Sequence, residues 1–133
     1  MIYGIVACCA TKRTSPCEAK DLYLSPLFRM SRQWIERQGV PWFILSAKYG
    51  LLEPSRIVEP YDLTLSQLTS TQRNAWSRFA NRQLVTAIGS SATLVVLAGS
   101  LYLQATRGFR VVDPLERLPI GRRLQRLKGM LAA

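Results

Sequence analysis

The sequence predicts a three-layer α/β domain, with a mainly parallel and roughly four-stranded sheet between layers of helices. Short apolar, β-branched runs alternate along the chain with segments of helical period. The strand-like runs are apolar throughout, as expected for parallel strands that helices cover on both faces. A chain of 133 residues is long enough to bury a core and short for two domains, so residues 1–133 are expected to form one domain.

The first part of the chain predicts a strand, a loop and a helix. Residues 2 to 9 form the first strand, and the polar residues 10 to 21 are expected to form a loop. Ser25-Pro26 begins a helix, because serine is a favoured N-cap and proline fits the first helical position. Gly39 is expected to end that helix.

The middle of the chain predicts a second strand and a long helix. The strand covers residues 41 to 45, and the proline-containing residues 47 to 65 are expected to be irregular. The long helix begins near Ser70 and ends at Gly89. Its predicted apolar stripe consists of Trp76, Phe79, Ala80, Leu84, Ala87 and Ile88.

The last part predicts two further strands, at residues 93 to 98 and 110 to 112, with a short helix between them. A final helix begins near Ile120. We expect it to turn Leu124, Leu127 and Leu131 toward the core, and Arg122, Arg123 and Arg126 toward solvent.

The composition excludes several kinds of site. Histidine is absent, which excludes Ser-His-Asp and Cys-His catalysis and any zinc site with a histidine ligand. Three cysteines, Cys8, Cys9 and Cys17, make no disulfide framework, and they lack a fourth ligand at metal-site spacing. We therefore expect neither a metal nor a cofactor.

The chain gives no sign of a membrane segment. No apolar run approaches the roughly 20 residues that span a bilayer. Residues 1 to 6 have no basic leader and are typical of a strand rather than a signal peptide. We expect a cytoplasmic protein that does not bind membranes.

The net charge indicates a polyanionic partner. The formal charge is +10, from 18 lysines and arginines against 8 acidic residues. Because the guanidinium group matches phosphate bidentately, nucleic acid is the expected partner, and DNA rather than RNA. The alternative is a merely solubilising surface. The predicted nucleic-acid-binding residues are Arg78, Arg82, Arg107, Arg110, Arg122, Arg123, Arg126 and Lys128.

An unusual mixture of side chains follows the second predicted strand. Ser46, Lys48 and Tyr49 come first, and Tyr61-Asp62 follows closely. Different chemistries on a loop that a strand holds are typical of a site, so Ser46, Lys48, Tyr49 and Asp62 are the predicted catalytic residues. In the structural alternative, the tyrosines pack in the core, Lys48 is solvated and Asp62 caps a turn.

The carboxyl ends of the other strands predict substrate contacts, because ligands of open α/β sheets bind there. Gly99-Ser100 also begins a short helix, whose N–H groups are suited to a phosphate. With Tyr61 from the central loop, the expected substrate-binding residues are Cys8, Lys12, Tyr61, Gly99, Ser100 and Tyr102.

Several motifs resemble a small bacterial and phage domain family of unknown function. They are Asp21-Leu22-Tyr23-x-Ser25-x-Leu27-Phe28, residues 44 to 52, residues 60 to 65, Leu97-Ala98-Gly99-x-x-Tyr102 and Pro114-Leu115-x-x-Leu118-x-Ile120-Gly121. This resemblance covers nearly the whole chain and adds Asp21, Tyr23 and Ser25 to the expected substrate-binding residues. The central part is also similar to the YaaA family of peroxide-stress proteins, which implies DNA binding and a link to oxidative damage.

The first functional hypothesis is a glycosylase-like hydrolase that cleaves the N-glycosidic bond of a modified or damaged base in DNA. An extruded base would stack on Tyr49 and Tyr61, while Asp62 activates water or stabilises the sugar cation. The alternatives are a DNA-binding protein without catalysis, and a domain that binds or hydrolyses a free nucleotide with its arginines on the phosphate.

Overall fold

A five-stranded sheet forms the centre of the protein. The computed structural model describes residues 1–133. Its seven strands are β1 (Ile2–Ala7), β2 (Cys17–Glu18), β3 (Trp42–Ser46), β4 (Gly50–Leu52), β5 (Ile57–Val58), β6 (Thr93–Leu97) and β7 (Arg110–Val112). The strand order of the sheet is β4-β3-β1-β6-β7, and β2 and β5 form a separate antiparallel pair.

Five α-helices accompany the strands: α1 (Ala19–Leu22), α2 (Pro26–Arg37), α3 (Ser70–Ile88), α4 (Ser100–Leu103) and α5 (Ile120–Ala132). Two single turns of 3₁₀ helix cover Leu65–Gln67 and Gln104–Thr106. None of these helices combines the length and the apolar character that a membrane crossing requires.

The sheet is mostly parallel, and β1 lies at its centre. Strand β1 is parallel to β3 on one side and to β6 on the other, and β7 continues in parallel beyond β6. Only β4 is antiparallel, to β3. Since the chain leaves β1 through α2 in one direction and crosses back through α3 in the other, right-handed connections put these helices on opposite faces. Helix α5 packs on α2, and the predicted three-layer α/β fold is confirmed.

Local sequence signals account for the starts of the two long helices. The Ser25 hydroxyl accepts a hydrogen bond from the Phe28 N–H at 3.2 Å, and Pro26 occupies the first helical position of α2. At α3, Thr69 and Gln72 form a reciprocal capping box. Both helices begin where the sequence predicts.

The structure corrects three details of the sequence prediction. The sheet has five strands rather than four, because Gly50–Leu52 turns back and pairs with β3. The segment expected to be a loop at residues 10 to 21 contains β2 and α1. On α3 only Trp76, Ala80 and Leu84 are buried, whereas Phe79 is 44% exposed and Ala87 is exposed. The buried stripe is narrow because α3 packs mainly against the short edge strand β4 and the turn Gln104–Thr106.

A glycine in β1 allows α2 to lie close to the sheet. A Cβ atom at Gly4 would stand 2.7 Å from Ile35 Cδ1 and 3.0 Å from Trp42 Cβ, both closer than normal packing. Ile35 is fully buried in the hydrophobic core, so moving its side chain would disturb its packing there. Gly4 therefore sets the distance between the central strand and its covering helix.

We expect Gly4→Ala to destabilise the protein by about 1–3 kcal/mol, because the added methyl group overpacks this contact. Urea unfolding measures the change. Gly129→Ala is the matched control: a Cβ there meets nothing within 4 Å, so the replacement in α5 should stabilise by about 0.5–1 kcal/mol. In the double variant Gly4→Ala/Ile35→Ala, the loss should be smaller than the sum of the single losses. An additive loss would contradict the steric explanation.

A candidate ligand cavity at the carboxyl ends of the central strands

A cavity of about 300 Å³ opens beyond the carboxyl ends of β1 and β6. Its floor is formed by residues 7 to 10 after β1 and by residues 97 to 99 at the end of β6. Helix α2, helix α4, the 3₁₀ turn Leu65–Gln67 and helix α5 contribute the walls. This is the position where the connections from β1 and β6 diverge, which is where open parallel sheets bind ligands.

The cavity walls are mostly apolar. Phe28 and Leu27 come from α2, Leu101 from α4, Leu115 from the segment after β7, and Ile120 from the start of α5. No aspartate or glutamate lines the cavity. The cavity is therefore suited to a ligand with a largely apolar part, and it offers no negative charge to a cationic ligand.

Arg123 supplies the positive charge of the cavity. Its Nε donates to the Leu118 carbonyl, which holds the side chain in place. The two terminal nitrogens lie 3.4 and 3.6 Å from the position that a Cβ on Gly99 would take. Arg123 has no carboxylate partner, unlike Arg126, which pairs with Glu116 at 3.0 Å. The guanidinium fork is thus fixed over Gly99 and left free for an anion.

Ser31 is the second polar group of the cavity. Its residue is only 2% exposed and it lines the cavity, yet its hydroxyl makes no hydrogen bond within the protein. Every fully enclosed polar side-chain atom of the protein has a partner, so the unpaired Ser31 hydroxyl is not fully enclosed, and Ser31 is one of the residues that line the cavity. An unpaired hydroxyl on a buried residue that lines a cavity is a candidate hydrogen-bonding group for a ligand.

Cys8 and Tyr102 form the third polar group. The Cys8 sulfur lies 3.2 Å from the Tyr102 hydroxyl, and both residues line the cavity. Tyr102 also packs edge-on against Trp76, with ring centroids 5.5 Å apart. Burial raises the pKa of the Tyr102 phenol, and the neighbouring Cys8 raises it further. Tyr102 therefore stays a neutral hydroxyl that can donate or accept.

A buried hydrogen-bond network fixes the loop beside the cavity. The Ser46 hydroxyl donates to the Tyr61 hydroxyl at 2.7 Å, and Tyr61 and Tyr23 share a hydrogen bond of 2.8 Å. Ser46 Oγ also accepts from the N–H groups of Lys48 and Tyr49, at 3.2 and 3.0 Å. All the hydrogen-bonding capacity of Ser46 is thereby used.

Burial keeps the phenols of this network protonated. It raises the pKa of Tyr61, and the nearby Cys8 and Tyr23 raise it further. Burial likewise raises the pKa of Tyr23, with Cys8 again the second cause. Lys12 lies 4.3 Å above the centre of the Tyr61 ring, a cation–π contact that covers the aromatic pair.

The structure separates the four predicted catalytic residues from this cavity, since none of them lines it. Ser46 is fully buried in the network. Lys48 is exposed, with its ammonium 5.3 Å from the Tyr49 ring, and Tyr49 packs edge-on against Tyr61. Asp62 is exposed and makes neither a hydrogen bond nor an ion pair.

The predicted substrate-binding residues divide into two groups. Cys8, Ser25, Gly99 and Tyr102 line the cavity. The others lie elsewhere: Lys12, Tyr23 and Tyr61 belong to the network, Asp21 pairs with Arg32 at 2.9 Å, and Ser100 is an exposed residue at the start of α4.

Sequence reasoning missed Ser31 and misplaced Arg123. Ser31 lies six positions after Ser25 on α2 and has no motif of its own. Arg123 was expected to point outward from α5 and instead lines the cavity. Its immediate neighbour Arg122 is exposed, and only the packing of α5 distinguishes these two arginines.

The remaining predicted nucleic-acid-binding residues lie on the surface. Arg78, Arg82 and Arg107 line a separate polar groove beside α3. Arg110, Arg122 and Lys128 are exposed, and Arg126 forms the ion pair with Glu116. No group of three or more Cys, Asp and Glu side chains is arranged to hold a metal ion.

Residues 4–129 match a family of unknown function, DUF6884. The chain belongs to this family. The match confirms the resemblance to a small domain family of unknown function and includes every residue that lines the cavity. No curated protein and no solved structure matches the chain. The resemblance to the YaaA proteins therefore has no support from a match.

The raised pKa values of Tyr23, Tyr61 and Tyr102 predict a fold that is sensitive to alkaline pH. Above the ordinary phenol pKa of 10.0, the unfolded chain releases protons that the folded chain keeps. The contribution of these phenols to the free energy of unfolding should therefore stay constant below about pH 10. Above that pH it should fall by about 1.4 kcal/mol per pH unit for each phenol.

Urea unfolding at a series of alkaline pH values measures this slope. Tyr61→Phe removes one of the three phenols and should make the slope shallower. Absorbance of tyrosinate from these three residues in the folded protein, or a flat slope, would contradict the prediction.

Proposed function

We propose that the protein binds a nucleotide, or a nucleoside phosphate of similar size, in the cavity beyond β1 and β6. The observation that carries the proposal is the guanidinium group of Arg123, which is held over Gly99 without a carboxylate partner inside a mostly apolar cavity. This arrangement favours a ligand that joins an apolar ring to a phosphate.

Each part of a nucleotide has a matching surface. The base packs between apolar side chains such as Phe28 and Leu101, and the phosphate lies at Arg123. The unpartnered Ser31 hydroxyl and the neutral Tyr102 hydroxyl hydrogen-bond to the base edge or the sugar. A cationic ligand is disfavoured, because no acidic side chain lines the cavity.

Arg123→Ala should weaken nucleotide binding by about 10- to 100-fold, since a hydrogen bond to a charged group contributes about 1.5–3 kcal/mol. Isothermal titration calorimetry with ribonucleoside and deoxyribonucleoside monophosphates measures the loss. Arg122→Ala is the matched control: it removes the same charge from the next, exposed position and should leave affinity within about twofold.

The nucleosides that lack phosphate provide the decisive comparison. In the wild type they should bind more weakly than the monophosphates by about the same factor as the Arg123→Ala loss. In Arg123→Ala the difference between nucleoside and nucleotide should disappear. Equal binding of both by the wild type, or no binding of any monophosphate, would overturn the proposal.

Cleavage of the N-glycosidic bond of a modified or damaged base in DNA stays a second candidate. One observation favours it: Asp62 follows Tyr61 directly and has no ionic or hydrogen-bonding partner that would occupy its carboxylate. The cavity itself supplies no acid, so Asp62 would have to act on a base held against the aromatic pair Tyr49 and Tyr61. The resemblance to YaaA proteins, which implies DNA binding, is compatible with this candidate.

Incubation with DNA that contains oxidised or hypermodified bases tests this candidate, with abasic sites as the readout. The wild type should form them, and Asp62→Asn should reduce the rate by at least about 100-fold, as expected for loss of an acid–base or charge-stabilising group. Asp113→Asn, at the far end of β7, serves as the control for loss of a carboxylate. Absence of abasic product with every base tested would exclude the candidate.

A further inference from the structure

A second concave surface lies beside α3 and has a different character from the cavity. It has a volume of about 530 Å³ and contains neither an apolar nor an acidic side chain. We call it the α3 groove, and its lining residues are Asn74, Ser77, Arg78, Asn81, Arg82, Gln104 and Arg107. A groove made entirely of cationic and hydrogen-bonding side chains favours a hydrated polyanion over an apolar ligand.

Hydrogen bonds hold the two sides of the α3 groove together. The Asn81 amide of α3 donates to the carbonyl groups of Ala105 and Arg107, both at 2.9 Å. The buried Thr106 hydroxyl donates to the Leu103 carbonyl at 2.6 Å. Because both amide hydrogens of Asn81 are used, the backbone that carries Arg107 is fixed against α3. The groove is therefore formed before a ligand binds.

The positive charges of the α3 groove have no counter-charges within the protein. Arg78, Arg82 and Arg107 are exposed and take part in none of the four salt bridges. The sequence explains why: no acidic residue lies between Asp62 and Asp113. Elsewhere, Arg32 lies between Asp21 and Glu36, and Arg126 contacts Glu116. The part of the chain that builds the groove therefore supplies no carboxylate to these three arginines.

We infer that the α3 groove binds the sugar–phosphate backbone of a nucleic acid. The three guanidinium groups contact phosphates, and the side chains of Asn74, Ser77 and Gln104 hydrogen-bond to backbone oxygens. Three cations on two chain segments suit successive phosphates of a strand better than one small anion. A lipid surface fits poorly, because the groove is concave and has no apolar side chain to insert.

The α3 groove is independent of the nucleotide cavity. The two share no lining residue, although the segment from α4 to Arg107 contributes Tyr102 to one and Gln104 and Arg107 to the other. The two proposals can therefore be tested separately. Arg123→Ala should affect nucleotide binding, whereas the groove variants should affect nucleic-acid binding.

Fluorescence anisotropy with labelled duplex DNA, single-stranded DNA and RNA tests the inference. In the triple variant Arg78→Ala/Arg82→Ala/Arg107→Ala, affinity at about 100 mM salt should fall by about 10-fold or more. The slope of log affinity against log salt should fall by about two to three for duplex DNA, because each lost phosphate contact contributes about 0.9. These side chains make no hydrogen bonds within the protein, so circular dichroism and the melting temperature should be unchanged.

The matched control is Arg29→Ala/Arg117→Ala/Arg122→Ala, which removes three exposed arginines that lie outside the groove and make no side-chain hydrogen bonds within the protein. Both triple variants lose the same charge, so the control should lose less than about threefold in affinity if position matters. The variant Arg78→Lys/Arg82→Lys/Arg107→Lys should keep most of the salt slope. Equal losses in the two alanine variants, no loss in the groove variant, or binding to anionic vesicles but to no oligonucleotide would overturn the inference.

Discussion

The position of β1 between two parallel neighbours is the constraint on which the site depends. The chain leaves β1 through α2 toward β3 and later returns on its other side to form β6. The connections above the carboxyl ends of β1 and β6 consequently diverge and leave a space that neither fills. Gly4 allows α2 to lie close to the sheet, and Cys8 and Gly99 form part of the floor of the space.

Several of the polar residues that the sequence suggested for a site form hydrogen bonds with one another instead. Ser46, Tyr61 and Tyr23 form a closed hydrogen-bond network that anchors the loop after β3, which is the structural role that the sequence left open for Tyr61. Two groups that line the cavity keep free hydrogen-bonding capacity: the Ser31 hydroxyl, and the terminal nitrogens of Arg123, which has no carboxylate partner. In a protein whose enclosed polar atoms are otherwise paired, an unpaired group marks a site better than an unusual residue type does.

The arginines of the cavity and of the α3 groove lie in two different environments. At the cavity, one guanidinium group stands in apolar surroundings, where the low local polarity strengthens its attraction for a single anionic group. At the α3 groove, three guanidinium groups share a hydrated surface, which suits a polymer that exchanges counterions. The segment from Ser100 to Arg107 borders both surfaces, so its packing against α3 fixes how the cavity and the α3 groove lie relative to each other.

The amino-acid sequence alone was sufficient to predict the α/β class, the starts of α2 and α3, and four of the residues that line the cavity: Cys8, Ser25, Gly99 and Tyr102. The class and the helix starts follow from periodicity and local caps, Cys8, Gly99 and Tyr102 from the rule that parallel strands end at one edge, and Ser25 from the family resemblance. Packing between distant segments was needed to show that β4 pairs with β3, that Ser31 lines a cavity, and that Arg123 rather than Arg122 lines it. Such choices depend on contacts between distant parts of the chain, such as Cys8 with Tyr102, 94 residues apart, and no local pattern encodes them.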